Sequence, residues 1–431
     1  MAERLQVLKY YLYYKYKKPF ADRSRLKRWQ QRQLKTHLRY VGCHSPVYRR
    51  RFTLEDYPVI DKAFMMKHFN RLNTAGIRRE EAEAFAVLAE RSREFTPKLK
   101  GVTVGLSSGT SGSRGIFLVS DREKSQWAGY VLARFLPGSI LDTYSIAFFM
   151  RADSNLYQAV GAKNIRFHFF DILKPVEEHQ ERLQAAQPRI LAGQPSLLLM
   201  LGELLEKGEL EIRPQIVISI AEVLEEEDAQ RLRRVFSVPV IHQVYQCTEG
   251  FLASTCRYGT LHLNEDIVYV EKEYLEEGRF VPVITDFARK AQPIIRYRLN
   301  DILIERKERC PCGSPFTALQ KIEGREDDIF VFAGIHGGQV RVFPDFIRRC
   351  LLFAGSSGDY RAVQTQEGTI RIYADLENKQ QKRIEEEFEK LAGESGFILP
   401  DLTFCPYMLE SKRKMKRVER ERRSVHETTQ C

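Results

Sequence analysis

The chain has 431 residues, 43% of them hydrophobic and 29% charged, which excludes a disordered, collagen-like or mucin-like chain. No run of about 18 apolar residues is present, so no transmembrane helix is expected. The net charge is +11, but residues 1–50 carry 14 basic and 2 acidic side chains, residues 411–431 carry 8 and 3, and the stretch between them is net −6.

The basic ends suit a phosphate-bearing or acidic partner or an anionic membrane face, and equally a plain solvated helix surface. Eight Cys are too few for a disulfide scaffold. The opening MAERLQVLKYYLYYKYKK lacks the apolar core of a secretory signal. A reducing cytoplasm is the expected location.

Residues 1–50 read as basic, amphipathic helix closed by Ser45-Pro46, and short helices follow to about residue 100. VTVGL and IFLVS are β runs flanking a Ser/Gly loop, the pattern of strand, turn and strand. Helix is expected over 123–136. SIAFFM, RILAG, PQIVISIAE and PVIHQVYQC are then strands, alternating with helices such as PSLLLMLGELLEKG. Such alternation indicates an α/β fold with a sheet covered on both faces. Residues 260–305 turn β-rich. From 328 to 410 the pattern is strand (DIFVFA), helix, strand, strand, helix, strand, a small α+β unit of the β-α-β-β-α-β type, followed by a basic tail. The expected division is a large domain over 1–325, its first 100 residues mostly helical, and a small domain over 326–431.

The loop GLSSGTSGSRG, residues 105–115, packs four Gly, four Ser and one Thr into eleven positions. Gly lets the backbone approach a ligand, successive N–H groups of such turns form anion-binding concavities, and Arg114 adds a permanent cation. The chemistry suits a polyphosphate, although the Lys of a Walker A loop is absent. A surface hairpin loop is the plain alternative.

Four further segments, read in order, turn the balance. SSGTSGSRG is similar to the phosphate loop of the adenylate-forming superfamily, whose phenylacetate–coenzyme A ligase and coenzyme F390 synthetase branch the chain resembles. Ser219-Ile-Ala-Glu222 resembles its G-A-E-P segment, and Tyr245-Gln-Cys-Thr248-Glu249 its Y-G-x-T-E. Thr285-Asp286 through Arg296-Tyr297-Arg298-Leu299-Asn300-Asp301 resembles T-D-…-R-Y-R-T-G-D. Gly324-Arg325-Glu326-Asp327-Asp328 resembles the G-R-x-D-D hinge.

The resemblance implies ATP-dependent activation of a carboxylic acid to an acyl- or aryl-adenylate with release of pyrophosphate, then transfer to the thiol of coenzyme A or a carrier protein. It implies that Ser107, Ser108, Gly109, Thr110, Ser111, Gly112, Arg114 and Gly115 hold phosphates. Thr248 would touch the α-phosphate and Glu249 would bind Mg²⁺. Tyr245 would lie against adenine, with Gln246 beside it and Ser219, Ala221 and Glu222 reading the ring edge. Asp301 and Arg325 would meet the ribose. Lys414, with Lys412 and Lys416 as rivals, would stabilise the adenylation transition state as the small domain swings about Asp327. Gln246 and Asn300 replace family glycines, and Arg114 stands where a Lys is usual. His168 and Arg151 weakly suggest an aryl acid with a polar group.

Three other readings stay open: a nucleotidyltransferase that stops at AMP attachment, a non-catalytic ATP-binding scaffold, and a nucleic-acid binder using the basic ends. The ordered acidic motifs argue against the last. A homodimer is left open.

Cys256, His262, Cys310 and Cys312 offer three thiolates and an imidazole, a common donor set for a tetrahedral structural zinc. Free buried Cys beside a turn are the alternative.

Overall fold

The computed structural model describes residues 2–16, 20–107, 114–150, 163–276, 278–353, 360–366, 368–407 and 416–421. The chain divides into two compact units, Met1–Leu299 with Leu303–Lys321, and Asn300–Ile302 with Ile322–Cys431. Among the described residues no helix is long and apolar enough to cross a membrane.

The first unit is built on one large sheet. Its parallel part runs through β3 (Tyr144–Met150), β4 (Ile165–Asp171), β5 (Ile190–Gly193), β6 (Ile216–Ile220) and β7 (Ile241–Cys247), in the order β7-β6-β5-β3-β4. From β7 onward the pairing turns antiparallel, through β8 (Gly250–Thr255) and β9 (Leu261–Leu263). Alternation along the strands explains the layers. Ile146, Ile190 and Ile218 face one core, which is completed by α1 (Ala2–Tyr16) and α6 (Asp121–Phe135). Ala147, Leu191 and Val217 face the other, completed by α7 (Gln180–Ala186), α8 (Pro195–Glu206) and α9 (Glu226–Val235). Gly129 lets α1 lie tight on α6, because a Cβ there would stand 2.7 Å from the Val7 carbonyl and 2.8 Å from the Tyr11 amide.

The loop read as strand, turn and strand joins an antiparallel hairpin, β1 (Val102–Leu106) and β2 (Ile116–Ser120), with Leu106 opposite Ile116. The hairpin packs on α5 (Arg79–Ser92) and Phe69 in a core of its own. Ser120 caps α6 in a reciprocal box with Glu123. Residues 1–50 form two helices where one was expected. The second, α2 (Arg23–His44), starts at Asp22, whose carboxylate accepts from the Arg25 amide at 2.7 Å.

In the second unit a four-stranded sheet, order β19-β18-β17-β20, comprises β17 (Tyr360–Gln366), β18 (Thr369–Ala374), β19 (Asp401–Cys405) and β20 (Val418–Arg420). The expected β-α-β-β-α-β order needs correction. The DIFVFA strand, β15 (Phe330–Ala333), pairs with β16 (Gln339–Val342) in a separate hairpin, because the Gly-rich turn between them closes locally. The vacant edge is taken by β20, parallel to β17, from the stretch read as a basic tail. Val418 is buried in the core that Phe330 and Phe332 share with α10 (Pro344–Phe353) and α11 (Asn378–Ser395).

Candidate active site

The carboxyl ends of parallel strands, where strand direction changes, are the usual ligand crevice of an open α/β sheet. Two of the motifs sit there. Ser219 is buried near the end of β6. Ala221 follows with φ +67°, a left-handed backbone that a Cβ disfavours by about 1–2 kcal/mol. The Glu222 carboxylate turns to α8, accepting from the Ser196 hydroxyl at 2.8 Å at the start of that helix. On β7, Tyr245 is buried. A bulge between Tyr245 and Gln246 turns the strand, and the Gln246 side-chain oxygen accepts from the Trp127 indole N–H at 3.0 Å.

Thr248 and Glu249 form the turn between β7 and β8, both half-buried. The Tyr297 hydroxyl lies beside the Glu249 carboxylate. Burial pushes that hydroxyl far above its usual pKa, and the adjacent negative charge pushes it further. Backbone bonds join Tyr297 and its neighbours to Ile60: the Ile60 amide donates to the Arg296 carbonyl at 2.9 Å, and the Arg298 amide to the Ile60 carbonyl at 2.8 Å. Two residues on, the Lys62 side chain lies against Gly115, at the base of the serine-rich loop. Ser107 closes that base, its hydroxyl accepting from the Gly115 amide at 2.7 Å.

A second link is direct. Arg289 donates to the Thr248 carbonyl at 3.1 Å and to the Leu118 carbonyl of β2 at 3.2 Å. Gln292 bonds both the Leu118 amide, at 2.8 Å, and the Ile116 carbonyl, at 3.0 Å. The structure thus ties the hairpin that carries the loop and the Thr248-Glu249 turn to one short segment, 289–297. Asp286, behind Gly250, has its pKa pushed up to about 6 by burial, which the Arg289 guanidinium only partly offsets. Arg114 is engaged elsewhere, in a two-pronged pair with Glu90 and a 2.8 Å bond to the Ser107 carbonyl. Ser108, Gly109, Thr110, Ser111, Gly112, Arg151 and Lys414 lie outside the described residues.

In the second unit Asp301 and Arg325 face each other at 3.7 Å. Asn300 donates to the Asp327 carboxylate at 2.8 Å, binding the R-L-N-D and G-R-E-D-D motifs together. Gly324 has φ +148°, a conformation that glycine alone adopts readily. Lys416 is paired with both oxygens of the buried Asp328, at 2.9 and 3.1 Å.

No protein-family model matches the chain. It is 25% identical, over 81% of its length and 80% of the relative's, to the phenylacetate–coenzyme A ligase of Thermus thermophilus. Among solved structures it is similar to 2-hydroxyisobutyryl-CoA ligase in its postadenylation state with 2-HIB-AMP, with a TM-score of 0.65 at 18% identity over 93% of this chain and 90% of that one. This is the fold of the adenylate-forming CoA ligases. A benzoate CoA ligase from Burkholderia xenovorans shares it more loosely, with a TM-score of 0.52 at 12% identity over 74% and 68% of the two chains.

Within this adenylate-forming fold the four metal-type residues come together beside β9. One donor atom from each of Cys256, His262, Cys310 and Cys312 lies within 4.8 Å of all the others. The Cys256 and Cys310 sulfurs are 3.7 Å apart, and Cys312 sulfur is 3.4 Å from His262 Nε2. A tetrahedral zinc with Zn–S of about 2.3 Å sets its sulfurs roughly 3.8 Å apart, so the donor set fits. The Phe316 carbonyl holds His262 Nδ1 at 3.3 Å, leaving Nε2 for the cluster. Backbone amides of Tyr258 and Ser314 donate to Cys256 and Cys312 at 3.4 Å. Burial opposes ionisation of Cys310, yet bonds from Thr260, the backbone and His262 bring its thiol down to about 6. Burial and the neighbouring sulfurs push Cys312 up to about 11. Sequence reasoning gave no role to Tyr297, Arg289 or Lys62. Tyr297 lay inside a quoted motif, whereas Arg289 sits in ARKAQP, which shows no pattern.

Proposed function

We propose that this chain is an ATP-dependent acid–thiol ligase. It activates a carboxylic acid as its adenylate, releasing pyrophosphate, and passes the acyl group to coenzyme A. The observation that carries this reading is the attachment of the β1–β2 hairpin and the Thr248-Glu249 turn to the same 289–297 segment. One triphosphate can then be held at its terminal phosphates by the 107–115 loop and at its α-phosphate by Thr248. The reaction needs positioning and charge neutralisation more than covalent help. Glu249, held by Tyr297, is the carboxylate suited to Mg²⁺, which would neutralise phosphate charge. Tyr245 supplies a flat face for adenine, and Ser219, Ala221 and Glu222 carry its edge contacts on the strained backbone after β6. With Arg114 paired to Glu90, Lys62 is a further cation for the phosphates.

Asp301 and Arg325 serve the ribose. The second unit acts as a mobile domain hinged at Asp327, and Lys414 serves adenylation, since Lys416 is committed to Asp328. Cys256, His262, Cys310 and Cys312 would hold a structural zinc that pins the segment after β8. Gln246, fixed by Trp127, occupies the acyl side of the Tyr245 strand and favours a small or flat acid. Acid-dependent ATP–pyrophosphate exchange over a panel of aryl and short-chain acids tests the reading. Exchange with none of them, alongside intact ATP binding, would favour the scaffold reading. A stable AMP–product formed without thiol would favour AMP attachment.

A further inference from the structure

The serine-rich loop leaves the hairpin at Ser107 and rejoins it at Gly115, and these two residues close its base. The Ser107 amide donates to the Gly115 carbonyl at 2.7 Å, and the Gly115 amide to the Ser107 hydroxyl at 2.7 Å. Arg114 adds a third closure from the side. Its Nε donates to the Ser107 carbonyl at 2.8 Å, its Nη1 to Glu90 Oε2 at 2.6 Å, and its Nη2 to Glu90 Oε1. Each nitrogen of the guanidinium thus meets a protein oxygen, in the two-pronged geometry that an Arg fork makes with a carboxylate.

The position of Glu90 follows from α5. Ala82 and Ala86 of that helix are buried in the core it shares with β1 and β2. Glu90 is the next residue on the same i, i+4, i+8 stripe, where side chains stack along one helix face. It is half-buried, and there the stripe meets the base of the loop.

We propose that Glu90 is a positioning residue for the triphosphate. It holds Arg114 as a staple across the base of the loop, so that Arg114 orients the loop instead of touching phosphate. The staple itself rests on hydrogen bonds alone; its kinetic consequence rests on the acid–thiol ligase reading. Charge alone gives the opposite sign. A carboxylate near a polyphosphate site repels the ligand, so its removal would tighten ATP binding and free Arg114 for the phosphates. If Glu90 acts by positioning, its removal weakens ATP binding.

The test is ATP–pyrophosphate exchange, with KM for ATP and kcat measured separately, on Glu90→Gln, Arg114→Ala, the double variant and Arg114→Lys. Each single variant is expected to raise KM for ATP about threefold to tenfold, the scale of a half-exposed ion pair with one further bond, and to change kcat less. The double variant should be no worse than Arg114→Ala, because both substitutions break one device. Arg114→Lys should fail to restore KM, since an ammonium is a point charge that suits phosphate but cannot span Glu90 and Ser107 together. Tighter ATP in Glu90→Gln, wild-type KM in Arg114→Lys, or losses that add in the double variant would each overturn the proposal. Hydrogen–deuterium exchange without nucleotide reads the staple apart from catalysis. Peptides spanning residues 105–117 should exchange faster in Glu90→Gln than in the wild type, and unchanged rates would overturn the staple. Faster rates in a chain whose wild type shows no pyrophosphate exchange with any acid would uphold the staple and place the failure in the ligase reading.

Discussion

Tyr297 sets its hydroxyl beside the carboxylate of Glu249, joining two motifs that lie far apart in the chain. The contact orients the acid proposed to serve the triphosphate. A hydrogen bond to a charged group contributes about 1.5–3 kcal/mol. Tyr297→Phe is therefore expected to lower acid-dependent exchange about tenfold to a hundredfold, with the melting temperature lowered by only a few degrees. Unchanged exchange would mean that Glu249 needs no orientation.

Asp286 makes stability depend on pH near the same site. Its folded pKa of about 6 lies above the ordinary 3.8, so the folded chain holds a proton that the unfolded chain has lost. The stability this group contributes is present below pH 4 and is lost as pH rises through 6. Asp286→Asn keeps an oxygen for the Ala288 amide and should gain on the wild type by roughly 3 kcal/mol between pH 4 and 7. Denaturant melts of both proteins across that range measure the difference.

Metal analysis of the purified chain should find one zinc per molecule, and Cys312→Ala should lose it. Because metal binding couples to folding, the same substitution or a chelator should lower the melting temperature by several degrees. Full stability in chelator with no zinc bound would leave the cluster as free thiols.

Two lysines of the second unit should separate cleanly. Lys416→Met strands the buried carboxylate of Asp328, a loss of about 3 kcal/mol in stability. Lys414→Ala should leave the melting temperature alone and cut exchange at least about a hundredfold, the scale of one lost transition-state charge contact. The reverse pattern would give the adenylation role to Lys416.

The fold was legible where side-chain chemistry is periodic. β5 and β6 are short apolar runs bounded by turns, and α6 was expected from 123, two residues after its start at Asp121, because the Ser120–Glu123 capping box went unread. Val418–Arg420 was not legible, because three residues within a run of Lys and Arg carry no alternation, and only the open edge of β17 makes them a strand. Nor was the break between DIFVFA and the small sheet, since pairing partners are a tertiary choice. The cysteine cluster could be read because few residue types ligate zinc, although the antiparallel pairing of His262 with Ala318 is what brings Cys310 and Cys312 back to it. The role of Arg289 could not be read, because it bonds carbonyl oxygens of Thr248 and Leu118, and any residue offers a carbonyl.

The most direct measurement is carboxylate-dependent ATP–pyrophosphate exchange by the wild type and Glu249→Gln. Exchange is expected with at least one acid of an aryl and short-chain panel, with a loss of about a hundredfold or more in the variant and ATP binding weakened less. Wild-type exchange that Glu249→Gln leaves intact would contradict it.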